Sequence, residues 1–379
     1  MKRSRYLEKI AFNYRIHSVC GILGPRQVGK TTLAHQYAQQ FNSVLFFDLE
    51  NSFDLAQLEN PLLALKNRSE ELIVIDEVQL RPDLFPTLRV LVDERPRKFL
   101  ILGSASRDLL QQSSETLAGR IGYLELPPFS LAEAPELNKL WLRGGFPRSY
   151  LALSDAESYA WRQAYISTFM ERDIPALGFN IPPALMRRLW MMLAHYHGNI
   201  LNTSELANSL DISNNTVRKY IDILSGTFMI RALQPWFENI SKRQVKSPKI
   251  YLRDSGLLHT LLNIPTFESL LVYPRLGASW EGFALEEIIK AYNLQTEECF
   301  FWSTQSGAEL DLFCMRDGKR LGFEFKYTDS PRPTKSMHIA QEDLKLDHLY
   351  LVHPHNQTFP ISETITALGL QTLTDNDYA

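Results

Sequence analysis

Cysteine is scarce: Cys20, Cys299 and Cys314 are the only three in 379 residues. So odd and scattered a set excludes a disulfide scaffold and a cysteine metal site, and it suits a reducing, cytoplasmic setting. Long apolar runs are missing as well. Nothing approaches the roughly 18 residues of a membrane span, and the opening MKRSRYLEKIAFNYR lacks a signal peptide's unbroken apolar stretch, so no membrane partner is expected. Neither sign of charge dominates. Forty Lys and Arg against 43 Asp and Glu leave a net charge of −3, which restricts any nucleic-acid surface to a local patch. No repeat of fixed period and no low-complexity tract is present. What remains is an ordinary globular composition, 45% apolar and 22% charged, in a chain long enough for two to four domains at roughly 100–200 residues each.

Changes of pattern divide the chain at 1–130, 131–200, 201–272 and 273–379. In the first segment, short apolar runs at 18–23, 44–49, 72–76, 99–103 and 121–126 alternate with longer helix-like stretches, which predicts an α/β fold with a parallel sheet covered by helices. Pro127 and Pro128 end it, since proline cannot donate to a ladder. The second segment reads as helices around the turn Gly144-Gly145-Phe146-Pro147. The third opens with two short helices, and in the fourth, strands at 309–314 and 320–327 flank the turn Asp317-Gly318.

Gly24-Pro25-Arg26-Gln27-Val28-Gly29-Lys30-Thr31-Thr32 fits G-x-x-x-x-G-K-[ST] between a strand and a helix. Glycine lets the backbone N–H groups approach phosphate oxygens, which side chains would block. Lys30 would neutralise the terminal phosphates of ATP, and Thr31 would face Mg2+ together with Asp76, at the end of the run Leu-Ile-Val-Ile. Glu77 would polarise the attacking water and Ser104 would be the polar probe between the strands. Hydrolysis also needs a cation for the developing charge. Arg120, from within the chain or across a subunit boundary, is the first candidate and Arg148 the second.

Three further stretches carry chemistry. Asn202-Thr-Ser-Glu205 reads as a helix start, and a second helix from Asn214 leaves Asn215, Thr216, Arg218 and Lys219 near its exposed beginning, an arrangement suited to a DNA groove. The following stretch, 239–253, holds Lys242, Arg243, Lys246, Lys249 and Arg253 and no acid, so it is expected to grip phosphates. Asp311 on one strand, and Glu324 with Lys326 on the next, converge as a site for Mg2+ and a lysine able to position water. His195 and His197 are expected to be structural, and His353 and His355 to be surface residues.

The motifs GPRQVGKTTLA, FDLE, ELIVIDEVQL, FLILGSAS, ETLAGR and GGFPRSYL together resemble prokaryotic AAA-type ATPases carrying a carboxy-terminal nuclease-like domain. The resemblance runs through nearly the whole chain. It implies the AAA-type P-loop sheet with a helical lid, Lys30, Thr31, Asp76 and Glu77 in the Walker roles, Ser104 as sensor, and a homo-oligomer, with a ring as one form. The paired helices resemble a winged helix. Asp311, twelve intervening residues and Glu324-Phe-Lys326 resemble the PD-(D/E)XK nuclease motif of restriction-endonuclease-like domains, with Glu281 matching its helical acid and Leu310 standing where the motif has proline. That likeness implies Asp311 and Glu324 as metal ligands, Lys326 as catalytic lysine and Glu281 as auxiliary acid. Two functions stay open: a DNA-directed ATPase that remodels or translocates DNA and carries a nuclease, or a nucleotide-controlled DNA-binding switch or transcriptional regulator whose last domain recognises DNA without cutting.

Overall fold

The computed structural model describes residues 3–105, 117–238 and 242–375. The chain folds as two units: Met1–Pro128 with Glu171–Asn180 and Asp222–Met229, and Phe129–Met170 with Ile181–Ile221 and Ile230–Ala379. The segments 131–200 and 201–272 therefore each lend a stretch to the first unit and otherwise share the second with 273–379.

In the first unit the five apolar runs become β1 (Val19–Leu23), β2 (Val44–Asp48), β3 (Leu72–Asp76), β4 (Lys98–Gly103) and β5 (Ile121–Glu125). They form a wholly parallel sheet in the order β2-β3-β4-β1-β5. β1 and β3 are buried at every position, because helices cover both faces. Alternate residues serve opposite cores. Ile73, Ile75, Phe99 and Ile101 pack with Leu84, Phe85, Leu88 and Leu91 of the helix Leu84–Glu94. Leu72, Val74, Leu100 and Leu102 pack with Leu33, Ala34 and Tyr37 of the helix Lys30–Ala38 and with Ile10 of Ser4–Asn13. Parallel strands all end at the same edge, so β1 and β3 deliver the phosphate loop and the acidic pair side by side.

The second unit is built on nine further strands: β6 (Asn199–Ile200), β7 (Ile230–Pro235), β8 (Lys249–Leu252), β9 (Phe300–Ser303), β10 (Glu309–Arg316), β11 (Lys319–Phe325), β12 (His348–His353), β13 (Phe359–Pro360) and β14 (Ile365–Gly369). Their order is β13-β14-β12-β11-β10-β9-β7-β8-β6. Strands read from separate segments thus share one sheet, through the parallel pairing of β7 with β9. Asp317 and Gly318 both have positive φ, 51° and 76°, and make the two-residue turn between β10 and β11, with Arg316 paired to Lys319. Across the sheet lies the helix Leu276–Ala291, whose Trp280 and Phe283 pack against Trp141 of the helix Leu137–Arg143. Beside them, the Trp141 indole donates to Ser279 Oγ at 3.0 Å. At the expected glycine turn, Gly145 N–H donates to Asp254 Oδ2 at 2.8 Å, and a side chain on Gly144 would collide with the same carboxylate. Among the described residues no helix is long and apolar enough to cross a membrane.

Backbone closeness makes one glycine irreplaceable here. A Cβ on Gly256 would stand 2.1 Å from Arg143 O, whereas one on Gly277 would meet nothing within 4 Å. Gly256→Ala is expected to destabilise the chain by about 1–3 kcal/mol or more, and Gly277→Ala to leave it unchanged or stabilise it by about 0.5–1 kcal/mol. Urea unfolding of the two variants checks the contrast.

Candidate functional sites

The phosphate loop leaves β1 at Gly24, where a Cβ would lie 2.3 Å from the carbonyl oxygen of Leu126. It closes at Gly29, whose φ of 100° belongs to the left-handed region and which caps the helix Lys30–Ala38 without a side-chain bond. The first N–H groups of that helix are left for an anion. Lys30 is buried, 5% exposed, and donates to the carbonyls of Gly24 at 2.9 Å and Pro25 at 3.0 Å. Burial holds its pKa below the usual lysine range, against the pull of Glu77 and Asp76. Pro25 and Val28 are buried in the loop, Gln27 takes a φ of 61°, and Thr32 is exposed on the first helical turn.

Opposite the loop, Asp76 ends β3. Thr31 Oγ1 donates to its Oδ2 at 2.6 Å, and Glu77 N–H donates to its Oδ1 at 2.8 Å. Burial raises the Asp76 pKa, while the Thr31 hydrogen bond opposes the rise. Glu77 is held by two neighbours: Ser104 Oγ donates to its Oε2 at 3.2 Å, and Gln79 Nε2 bonds both Glu77 Oε2 and, at 2.8 Å, Ser104 Oγ. Lys30, Thr31, Asp76, Glu77 and Ser104 are therefore one constellation, and Gln79 is a member that motif reading missed. No local pattern marks it; the short turn Val78–Leu80 after the acidic pair brings it there.

Arg120 is not part of this constellation in its own chain. Its carbonyl accepts from Val19 N–H at the opening end of β1, and its guanidinium forms a two-bond pair with Asp93 at 2.7 and 2.9 Å. Five residues of strand separate it from the phosphate loop, on the order of 16 Å. Arg148 is exposed in the second unit. Ser106, Glu115 and Thr116 of the quoted motifs, and Asn239, Ile240 and Ser241 of the basic stretch, lie outside the described residues.

The second unit gathers the carboxylates. One step beyond the Leu312–Phe323 pair, Asp311 and Glu324 stand opposite each other on β10 and β11, and Phe325 N–H donates to Asp311 Oδ2 at 3.0 Å. Lys326, just past the end of β11, lies 2.8 Å from Glu324 Oε1. Glu281 comes from the helix Leu276–Ala291 and accepts from Tyr251 OH at 2.5 Å. Among them sits Lys249 of β8, 2% exposed, its Nζ 2.6 Å from Glu309, 3.5 Å from Glu281 and 3.6 Å from Asp311. Burial alone would lower its pKa. Tyr251, Glu281, Asp311 and Glu309 outweigh that and hold it well above the usual lysine range.

The basic stretch is thus corrected: Lys249 is an internal counter-ion, Arg253 lies 3.6 Å from buried Glu286, and Lys242 pairs with Asp343 at 2.6 Å. Arg243 and Lys246 are exposed. His353 is corrected too, being 2% exposed, while exposed His355 pairs with Asp329. His197 is buried and accepts Leu252 N–H at 2.9 Å.

Burial, then the neighbouring Asp311, pushes the Glu324 carboxyl up to about 8, and the same causes push Glu281 to about 7. Among the described residues no three acids, histidines or cysteines are arranged as a metal cluster. Mg2+, however, is commonly held by one or two carboxylates, with water and substrate phosphates completing its shell. Glu324 Oε2 is buried without a hydrogen-bond partner, so Asp311 and Glu324 fit such an ion.

At the start of the helix Asn214–Gly226, Ser213 Oγ accepts Thr216 N–H at 3.1 Å, leaving Asn214, Asn215, Arg218 and Lys219 exposed. Asn202 caps the preceding helix Thr203–Leu210, as its sequence predicts.

An AAA domain model matches residues 17–134, and models of two domains of unknown function, DUF8612 and DUF4143, match 134–268 and 276–373. Uncharacterized proteins of Mycobacterium tuberculosis and Mycobacterium bovis are each 49% identical over 351 residues, covering 92% of this chain and 79% of each relative. The chain belongs to the same family as these proteins and carries an AAA-type ATPase domain. Among solved structures, the Walker-type ATPase of Pyrococcus abyssi is similar to this family member at a TM-score of 0.48 and 14% identity, covering 69% of this chain and 95% of that one. The Aeropyrum pernix ORC1 protein in complex with DNA gives a TM-score of 0.34 at 13% identity, covering 71% and 93%.

The Glu324 site makes stability depend on pH. Its pKa is raised on folding, so between about pH 5 and 8 the folded ATPase keeps a proton that the unfolded chain has released, and stability falls as pH rises through that window. Glu324→Gln is expected to flatten the slope and gain at least about 1 kcal/mol at pH 8. Mg2+ at pH 8 should restore wild-type stability and leave Glu324→Gln unmoved. Urea midpoints at pH 5 and 8, with and without Mg2+, decide it; equal slopes in both proteins would contradict the reading.

Proposed function

We propose that this chain couples ATP hydrolysis to work on DNA. The Thr31–Asp76 contact supports the hydrolytic half: it brings together a hydroxyl and a carboxylate of the kind that would complete a Mg2+ shell, with Glu77 adjoining, which would polarise water. ATP would lie on the Gly24–Thr32 loop, with Mg2+ between Thr31 and Asp76.

Support for DNA comes from the order helix, short strand, helix, tight turn, helix and two antiparallel strands, running from Pro183–His195 through β6 to β7 and β8. That is the order of a winged helix, and the exposed Asn215, Arg218 and Lys219 stand where a recognition helix meets base edges and phosphates. In the second unit, Asp311 and Glu324 would hold Mg2+ against a phosphodiester, Lys326 would position water and Glu281 would assist. A homo-oligomer, a ring being one form, and a reducing cytoplasm complete the reading, in keeping with three buried, unpaired cysteines.

A second reading is favoured by Lys249. A lysine among Glu281, Glu309 and Asp311 already neutralises much of the cluster, as a DNA-recognising domain that does not cut would allow.

Duplex, branched or single-stranded DNA should raise ATP turnover severalfold, with Lys30→Ala abolishing it; turnover indifferent to all DNA would remove the coupling. Replacing Arg218 and Lys219 by Ala should lower the salt slope of DNA affinity by about 1–2. Labelled DNA with Mg2+ or Mn2+ separates the two readings: products that vanish in Glu324→Ala and Lys326→Ala support the nuclease, and uncut DNA supports the switch.

A further inference from the structure

Arg26 has a setting that the phosphate-loop motif does not require. Its side chain, 16% exposed, is ion-paired to Asp173 and to Glu50, and its Nε lies 4.0 Å from Glu77 Oε1. Asp173 is 5% exposed and is supplied by Glu171–Asn180, a distant stretch of chain that belongs to the same unit as the sheet. Arg172, beside it, also reaches Glu50, at 3.4 Å.

Two carboxylates from separate parts of the chain, Glu50 and Asp173, thus fix one guanidinium beside the acid that would polarise water. Fully exposed arginines gain little from such pairs, but a half-buried, multiply bonded guanidinium is oriented before reaction begins, and prior orientation makes a cation effective against developing charge. Arg26 also follows Pro25, whose ring limits φ, and precedes Gln27 with its φ of 61°, so its backbone position is narrowly defined. Arg120, the first candidate from the sequence, is engaged by Asp93 at the opposite edge of the sheet.

We propose that Arg26, from the phosphate loop of the same chain, is the cation that contacts the terminal phosphate during hydrolysis, with Asp173 and Glu50 as its positioning residues. The assignment rests on the ATP-hydrolysing reading. In the step concerned, a water oxygen bonds to the γ-phosphorus as the bridging P–O bond breaks. The bond's electron pair leaves on the β-phosphate oxygen of ADP, and the water proton passes to Glu77. Arg26 neither gains nor loses a proton, and its charge offsets that building on the phosphoryl oxygens.

Isothermal titration of the full chain with Mg-ADP and with Mg-ADP plus aluminium fluoride, which mimics the phosphoryl group in transfer, tests this apart from turnover. Arg26→Ala should bind ADP within about twofold of wild type, lose 10-fold or more of the affinity for the fluoride complex, and turn over ATP about 10²–10³-fold more slowly. Asp173→Asn should lose part of the fluoride-complex affinity and keep that for ADP, a selective loss that a merely misfolded variant would not show. Mixing Arg26→Ala with Lys30→Ala subunits should restore no turnover, because both residues serve one site.

Unchanged fluoride-complex affinity in Arg26→Ala overturns the assignment. So does recovery on mixing, or a loss confined to Arg120→Ala. A wild-type chain that binds neither ADP nor its fluoride complex overturns the ATP reading itself, and the assignment with it.

Discussion

The hydrogen bond from Thr31 to Asp76 depends on a constraint wider than either residue. The two are 45 positions apart: Asp76 ends β3, and Thr31 lies in the first turn of the helix that follows β1, on the far side of β4. They meet because Leu23 of β1 is level with Gly103 of β4, and Ile75 of β3 is level with Ile101. A one-residue slip in either pairing would turn a strand's side chains to the opposite face and carry the carboxylate away from the loop. The register is held by packing: Ile73 and Ile75 belong to one apolar core, Leu72 and Val74 to the other, and neither set can exchange without misfitting the side chains of both cores. Gly24 adds a steric lock, since its backbone sits where only hydrogen fits beside Leu126. The nucleotide chemistry of this family is in this sense a property of the sheet.

Legibility in the sequence followed the range of the interaction. The strand, loop and helix around Lys30, the Asn202 cap and the Asp317-Gly318 turn are set by residues within a few positions of one another, and each lies where its local pattern places it. The parallel order was readable as a class, because near-continuous apolar runs need cover on both faces. The partners of the charged side chains were not readable. Arg120 before a strand is compatible with a solvated pair or with a neighbouring site, and only the folded position of Asp93 decides which holds within the chain. Arg26 could be placed in the loop by its motif, but Asp173 comes from 147 residues away, and nothing near Arg26 announces it.

The acid cluster shows the energetic side of the same limit. Asp311 and Glu324, directly opposed on neighbouring strands, repel each other, and burial makes the repulsion worse. The fold answers with Lys326 at the rim, with a retained proton on Glu324 and with Lys249 inside. Removing one partner from a buried ionic set costs about 3–5 kcal/mol, because the remaining charges are left in a medium that solvates them poorly. Lys249 is therefore bound to the structure of the site whatever chemistry the site carries. Any cation that enters between Asp311 and Glu324 must share the field that this lysine has already reduced.

Lys249 was hidden by the way a charged stretch is counted. Five cations without an acid between 239 and 253 suggest a common task when taken as a sum. A strand does not sum its residues; it deals them to two faces with a period of two. Lys249, Ile250 and Tyr251 lie on β8, so Lys249 and Tyr251 share a face, and both side chains end on Glu281. A lysine and a tyrosine spaced by one apolar residue are read more naturally as the wall of a polar interior site than as part of a phosphate grip. The exposed Arg243 and Lys246, on the irregular stretch before the strand, are what remains of the basic surface. Dividing the cations by strand and loop before counting them separates the two roles, and it uses only the alternation that already identified β10 and β11.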